Sequence, residues 1–508
     1  MKGFQSVARL LTGLILLALC ALCSGQTDSV IDFSSLPAGN DWPQWARTSV
    51  HNSSTHALGQ SPNTKLADIT YDPFVTQEKA ETSGELLAHY QVPLVDGNSV
   101  FLEFKTGKYV SCNPPGSGQP YPCGPDDWNT EIWNERAFTW KNGALVKSWN
   151  FRTDWKPEPN TDFGGQNGDG LFGWEPVFHA AFHNGNVFVP GLGGTIYKVS
   201  EATGKMVAHY NPFRSVDPNR FVSGPPTIDG AGNVYYNVLE LDAKNPWSVD
   251  VQNSWLVKVK PDGVVEKVSY SKLVTQGGSD GSQRPGVNIS PAVSADGKTI
   301  YTASVAHFNV SDANVIAVNS DLTPKWHTSL INLANGQITG AIIDLSSATP
   351  VVLPDGSVLL GVLATGSNRG FMLKFNPSGQ YLTSFDFGWD DTPAIYVHDG
   401  TYSVITKNNF YSSGPYYITQ LNADLVPEWS YQSVDNFEWC VNAPAVDGNG
   451  TVYADSEDGS LFVINQGGTL KGQIFLQQAL GAAYTPVSIG RDGKIYTLNN
   501  GDMFVVGQ

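Results

Sequence analysis

The sequence predicts an all-β fold, an eight-bladed β-propeller of four-stranded antiparallel blades. Three observations carry that prediction. One opening recurs eight times: a proline followed by apolar residues, a glycine turn, then an alternating strand. Its copies run from Pro93 to Pro486 at a mean spacing of about 56 residues, within the range of propeller repeats. The composition is also wrong for helices, since only 15% of the 508 residues are charged while Gly (52) and Pro (31) are plentiful. Exposed helix faces need Lys, Glu and Arg, whereas short strands and tight turns use aromatics, Gly and Pro. A hydrophobic fraction of 41% can build a large core, which argues against disorder.

The elements follow in chain order. Residues 1–25 read MKGFQSVARLLTGLILLALCALCSG. A basic start at Lys2 and Arg9, a short apolar run from Leu10 to Leu22 and small residues after it are the layout of a secretory signal peptide. The run is too short to span a bilayer, and no other stretch is long and apolar enough. Cleavage is expected after Gly25, and the loss of Lys2 and Arg9 shifts the net charge from -17 to -19. Cys20 and Cys23 each follow a leucine, where a lipid-attachment site wants a small residue. The mature chain is expected to be secreted or periplasmic.

Residues 26–85 read as a lead-in that includes a closing strand, and residues 86–508 as the propeller. Cys112 and Cys123 bracket the Pro/Gly-rich CNPPGSGQPYPC loop and are expected to pair in an oxidising compartment. Cys440 is then left as a buried thiol. The openings are Pro93, Pro176, Pro226, Pro291, Pro350, Pro393, Pro444 and Pro486. Third strands follow, such as Ile196-Tyr197-Lys198-Val199 and Leu461-Phe462-Val463-Ile464. After a second turn with Gly or Pro, the fourth strand tends to carry an aromatic: Trp149, Tyr210, Trp326, Phe385 or Trp429. The eighth unit ends at Met503-Phe504-Val505-Val506, two or three strands in. A ring cannot leave that edge open, so the segment around Trp42 to Ser49 is expected to supply the outer strand. Seven blades is the alternative, if the irregular first unit is not a full blade.

The repeated x-P-x-V-x-x-D-G-x-V-Y opening, the Gly-then-Trp ending and the lead-in Asp41-Trp42-Pro43-Gln44-Trp45 carry a family likeness. Over residues 41–508 the chain resembles the repeats of quinoprotein (pyrroloquinoline quinone, PQQ) dehydrogenases and their cofactor-free relatives. The likeness implies the fold; function has to be argued from the site.

With strands lettered A to D outward from the axis, the A–B and C–D turns are nearly all tight. Length is concentrated at the other end. Residues 102–132 read as a B–C insertion, and residues 150–175, 271–290 and 331–349 as D-to-A connections. Long loops in a compact domain are usually functional, which places the site at the channel mouth on that face. Residues just before the opening prolines should line it. The candidate ligand-binding set is His89, Trp174, Glu175, Arg284, Asn288, Trp389, Asp390, Asp391, Trp439, Asn442 and Tyr484. Aromatics beside carboxylates and amides suit sugars, cations or a planar cofactor.

The net charge of -17 argues against nucleic acid and anionic membranes. The family resemblance implies, for a PQQ enzyme, a tryptophan floor, an arginine, a calcium held by Glu and Asn or Asp, and a base Asp. Glu175, Asn288, Asp390 or Asp391, Arg284 and Trp439 have those types. The vicinal Cys-Cys pair of many such enzymes and a C-x-x-C-H haem motif are absent from the sequence. A carbohydrate-active enzyme needs paired carboxylates or a His/Tyr pair, yet Asp390-Asp391 and His89-Tyr90 are adjacent in sequence and would diverge on a strand. The acidic Thr161–Gly170 stretch does not match calcium-loop spacing, and no metal site is expected. The reading favoured is an exported module that binds a small molecule, glycan or protein through its elaborated face. A PQQ- and calcium-dependent oxidoreductase and a carbohydrate-active enzyme are the alternatives.

Overall fold

The computed structural model describes residues 42–81, 91–109, 130–156, 178–241, 251–274, 283–286, 288–306, 309–342, 348–364, 369–388, 391–410, 414–433, 437–439, 441–478 and 485–508. The strands form eight antiparallel sheets, each one blade of a propeller. Blade 1 comprises Leu94–Asp96, Ser99–Gly107, Glu131–Lys141 and Ala144–Arg152, and blade 2 Ala181–His183, Asn186–Gly191, Thr195–Ser200 and Met206–Tyr210. Blade 3 comprises Arg220–Ile228, Val234–Leu241, Val251–Val259 and Val265–Ser269. Blades 6 and 7 run from Ala394–His398 to Pro427–Gln432 and from Ala445–Val446 to Thr469–Phe475.

Blades 4 and 5 depart from the simple pattern. Their inner strands are split, Gln283–Arg284 with Ala292–Val293 in blade 4 and Gly340–Ala341 with Val351–Val352 in blade 5, both pieces pairing with the same second strand. Residues 271–290 and 331–349 are therefore not simple connections, because each contains the upper half of an inner strand. Blade 3 shows the milder form, a register shift between Ser223 and Thr227 where Gly224-Pro225-Pro226 breaks the ladder. Proline has no N–H to donate, so it sits at such breaks.

The ring is closed by an N-terminal strand, as expected, but by Thr64–Thr70. That strand pairs with Asp502–Gly507 as the fourth strand of blade 8, outside Ile495–Asn499 and Val487–Ile489. Trp42 to Ser49 does something else, because this segment enters the central channel.

From Trp42 to Gln60 the chain visits the inner strands of blades 1 to 7 in order and then the A–B turn of blade 8. Trp42 exchanges backbone bonds with Val95, the Pro43 carbonyl accepts from Phe182 N, and the Gln44 carboxamide bonds both backbone groups of Ile228. The carbonyls of Ser49, Val50, Asn52 and Ser53 accept from Val293, Val352, Ile395 and Val446, and Gln60 N donates to the Gly493 carbonyl. An innermost strand has no further strand on its axial side, and buried backbone groups must be paired. The plug supplies those partners at the A–B end of the channel. Ala46, Arg47, His51 and Ser53 take positive φ between 47° and 71° to make the turns.

Adjacent blades dock through the repeated glycine and aromatic. The glycine of one blade's C–D turn lies against the fourth-strand aromatic of the blade before it: Gly204 on Trp149, Gly263 on Tyr210, Gly379 on Trp326 and Gly468 on Trp429. The indoles of Trp149 and Trp326 donate to the Glu201 and Pro377 carbonyls of those same turns. Where blades 4 and 6 have Leu322 and Leu425 in the turn, a buried lysine of the preceding blade reaches in instead. Lys258 bonds the Ser320 carbonyl at 2.6 Å and Lys374 the Ala423 carbonyl at 2.8 Å.

Candidate functional site

The residue before the opening proline stands where the inner strand meets the axis. In blades 4, 5, 6 and 8 it is Ser290, Thr349, Thr392 or Thr485, and all four are buried. His51 of the plug lies among them, fully buried. Its Nδ1 is 2.9 Å from the Pro350 carbonyl and 3.0 Å from Thr349 Oγ1. Its Nε2 is 3.1 Å from Thr227 Oγ1, which lies 2.8 Å from Ser290 Oγ. A carbonyl only accepts, so Nδ1 carries the proton and Nε2 accepts from the Thr227 hydroxyl. Burial holds the imidazole at about 4, although the Pro350 carbonyl pulls the other way.

The collar continues across the next blades. Thr349 N donates to Thr392 Oγ1 at 3.0 Å, and Thr392 N donates to Asn442 Oδ1 at 2.9 Å. Polar contacts thus run from blade 3 to blade 7 just beneath the mouth. The hydroxyl before these four prolines was visible in the sequence; His51 belongs to no repeat and had no such signal.

The structure places the predicted site residues as follows. Asp391 and Asn442 meet at Thr392. The Asp391 carboxylate accepts from the Thr406 hydroxyl at 2.7 Å and from Lys407 N at 3.4 Å. Arg284 lies in the first piece of the split inner strand of blade 4, in register with Val305, and Asn288 in the turn between the two pieces. Both are buried, and the collar joins their blade to that of Asp391. Asn288 is 4% exposed, and among the described residues neither its Nδ2 nor its Oδ1 has a hydrogen-bond partner. Gly224 of blade 3 backs this turn, since a Cβ there would lie 2.6 Å from the Ile289 carbonyl oxygen. Trp439 is fully buried in the core of blades 6 and 7, edge-on to Phe462 at 5.1 Å. His89, Trp174, Glu175, Trp389, Asp390 and Tyr484 lie outside the described residues, as do Cys112, Cys123, Cys440 and residues 1–25.

Three further buried acids sit in blades 7 and 1. Asp455 ends the second strand of blade 7 and accepts from the Thr497 hydroxyl of blade 8 at 2.5 Å. Burial pushes its carboxyl up to about 8 against the pull of the Thr497 and Thr485 hydroxyls. In blade 1, Glu103 and Glu135 face each other across neighbouring strands. Burial, and then the Glu103 charge, push the Glu135 carboxyl well above the carboxylate range.

The described members of the quinone–calcium set do not by themselves form such a site, and Glu175 and Asp390 lie outside the described residues. Trp439 packs in the core and cannot form an open floor. Asp391 is bonded within blade 6, and no group of three or more His, Cys, Asp or Glu side chains among the described residues could hold a metal ion. The arrangement offers instead buried amide and carboxyl groups at the D-to-A end of the inner strands, over a channel filled at its other end.

No protein-family model matches the chain, and no curated protein matches its sequence. Solved structures do match. Quinohemoprotein alcohol dehydrogenase from Comamonas testosteroni gives a TM-score of 0.55 at 12% identity, covering 96% of this chain and 84% of its own. Quinohemoprotein alcohol dehydrogenase ADHIIG from Pseudomonas putida HK5 gives 0.52 at 11% identity, with coverage of 92% and 76%. BamB from Moraxella catarrhalis gives 0.45 at 12% identity, with coverage of 88% and 99%. At such identities the likeness is one of fold, and this chain has the PQQ-like β-propeller fold that it shares with the quinohemoprotein alcohol dehydrogenases.

Proposed function

We propose that this chain is an exported binding propeller that holds a small, neutral, hydrogen-bonding ligand at the channel mouth of its elaborated face. Asn288 is the observation that supports the reading most directly. A carboxamide withdrawn from water with donor and acceptor both unmade costs about 1–3 kcal/mol per group. Such orphans in a folded protein call for a ligand or an ordered water. A neutral amide offers both a donor and an acceptor, which matches a hydroxyl or amide better than an ion. The plug closes the opposite end, so the ligand enters from one side.

The test separates binding from folding. Asn288→Leu keeps the volume and removes the orphan groups. It is expected to leave the unliganded protein as stable as the parent, or up to about 2 kcal/mol more stable, in urea unfolding. A loss of more than about 1 kcal/mol would show the amide to be structurally bonded and would overturn the reading. Ligand capture is followed by melting shifts against a panel of polyols, amides and mono- and disaccharides, with PQQ plus calcium included. A hit at 100 times its Kd adds about 2.7 kcal/mol to the parent and should fail to stabilise Asn288→Leu.

A further inference from the structure

A second recess opens on the same face, away from the axis. It is a groove of about 730 Å³ between the outer parts of blades 1 and 2, a volume typical of small-ligand sites. Its apolar wall is Phe151, Tyr197 and Met206; its polar side is Arg152, Asp154 and Lys156, with the buried Glu131 behind Lys156.

The wall is held in place. Tyr197 stacks on His209 of the neighbouring strand at 4.1 Å with the rings 11° apart, and Phe151 meets it edge-on at 5.3 Å. Gly191 makes the seat for that ring, because a Cβ there would come within 2.6 Å of Tyr197 Cε2. Asp154 is fixed by accepting from Leu192 N at 3.0 Å. Lys156 donates to the Glu131 carbonyl at 2.9 Å and lies 5.3 Å above the Trp133 ring. Arg152 is exposed, and among the described residues its guanidinium has no hydrogen-bond or ion-pair partner. It is close enough that its charge, after burial, lowers the affinity of Lys156 for its proton.

Two neighbouring cations, one of them unpaired, sit on a rigid aromatic wall in a strongly acidic protein. A guanidinium fork matches a carboxylate in two parallel bonds, and the wall accepts the apolar face of a ring. The shared chemistry is a ring that carries a carboxylate. Asp154 decides between its sources, since a carboxylate acceptor beside the wall rewards ring hydroxyls, which a saturated sugar acid presents and a simple aromatic acid lacks. We propose that this groove binds an acidic saccharide through a uronate residue, with Arg152 and Lys156 on its carboxylate, Phe151 and Tyr197 on its ring and Asp154 on its hydroxyls.

The probe is trigalacturonate, titrated calorimetrically into the full mature chain, with maltotriose and benzoate as comparison ligands. Saturable binding of trigalacturonate is expected, with no heat from maltotriose at the same concentration. Arg152→Gln should weaken it at least about tenfold while melting as the parent does; Tyr197→Ala should weaken it as much and also melt lower, because it removes a packed ring. Tyr197→Phe should keep most of the affinity, and Asn288→Leu should leave it unchanged, which keeps this groove distinct from the mouth. Absence of trigalacturonate binding overturns the proposal, as does binding that Arg152→Gln leaves intact. Benzoate binding as tight as that of trigalacturonate overturns the saccharide assignment in favour of an aromatic acid.

Discussion

His51 is neutral because its ring is wholly out of water, with Nδ1 committed to the Pro350 carbonyl and Nε2 to the Thr227 hydroxyl. Its proton affinity has been lowered from the ordinary value of 6.5 to about 4. The unfolded chain therefore binds a proton that the folded chain refuses between those values. Stability from this group is complete above about pH 6.5, falls as the pH drops toward 4, and changes little below that. The size is about 3 kcal/mol at 1.36 kcal/mol per unit. His179, buried edge-on to Trp45 and held at about 3, adds in the same direction. His51→Gln keeps an amide donor and acceptor but cannot take the proton. Between pH 7 and pH 4 its unfolding free energy in urea should fall less than the parent's, by about 3 kcal/mol. Equal falls would show that the ring is not the acid-sensitive member of the collar. None of this could be read from sequence, because His51 sits in an irregular segment with no repeat to align. Arg284, Asn288, Asp391 and Asn442 could be placed near the axis, because distance from the opening proline sets position along an inner strand. What the sequence withheld was orientation: Trp439 occupies such a position and turns into the core.

At the scale of the strand and turn, the Gly-then-aromatic ending explains why the fold was legible at all. It is a seam, repeated because every pair of blades needs one. The split inner strands of blades 4 and 5 were illegible for the opposite reason: two-residue pieces such as Gln283–Arg284 are too short for alternation to show. The seam can be tested by comparing two glycines in equivalent turns. Gly204 has φ +66° and a Cβ on it would come within 2.7 Å of the Trp149 ring; Gly143 has φ +78° and nothing within 4 Å. Both alanine substitutions carry the backbone cost of a left-handed residue, about 1 kcal/mol. Gly204→Ala should cost a further 1–3 kcal/mol or so, because it displaces a packed indole and strains its bond to the Glu201 carbonyl. The measurement is urea unfolding of the two variants side by side. Matching losses would mean that Trp149 yields freely and that the seam is held elsewhere.

The whole ring depends on one join that the repeat cannot make. The closing strand Thr64–Thr70 has the sequence TKLADIT, with no aromatic to dock on the next turn, and a Cβ on Gly143 of blade 1 would correspondingly meet nothing within 4 Å among the described residues. The seam between blades 8 and 1 is made by other means. Tyr71 takes its N–H bond to Gly501 and offers its carbonyl to Lys105 N. Lys105 Nζ then meets Asp72 Oδ2 at 2.7 Å, with the two side chains 4% and 2% exposed. Asp72 is held in turn by Phe74 N at 2.9 Å. Trp140 of blade 1 adds a bond to the Tyr496 hydroxyl of blade 8 at 2.8 Å. A buried pair contributes little over apolar residues of the same volume, but losing one partner strands a charge and costs about 3–5 kcal/mol. Asp72→Ala should therefore lose roughly that much in denaturant unfolding, far more than the 0–1 kcal/mol typical of an exposed pair. The double variant Asp72→Leu with Lys105→Met should recover most of the loss, since neither charge then needs a partner. If the double variant is as unstable as Asp72→Ala, the ion pair itself is what joins the first blade to the last. If Asp72→Ala costs under about 1 kcal/mol, the ring is closed by the strand ladder and the plug, and the pair is incidental.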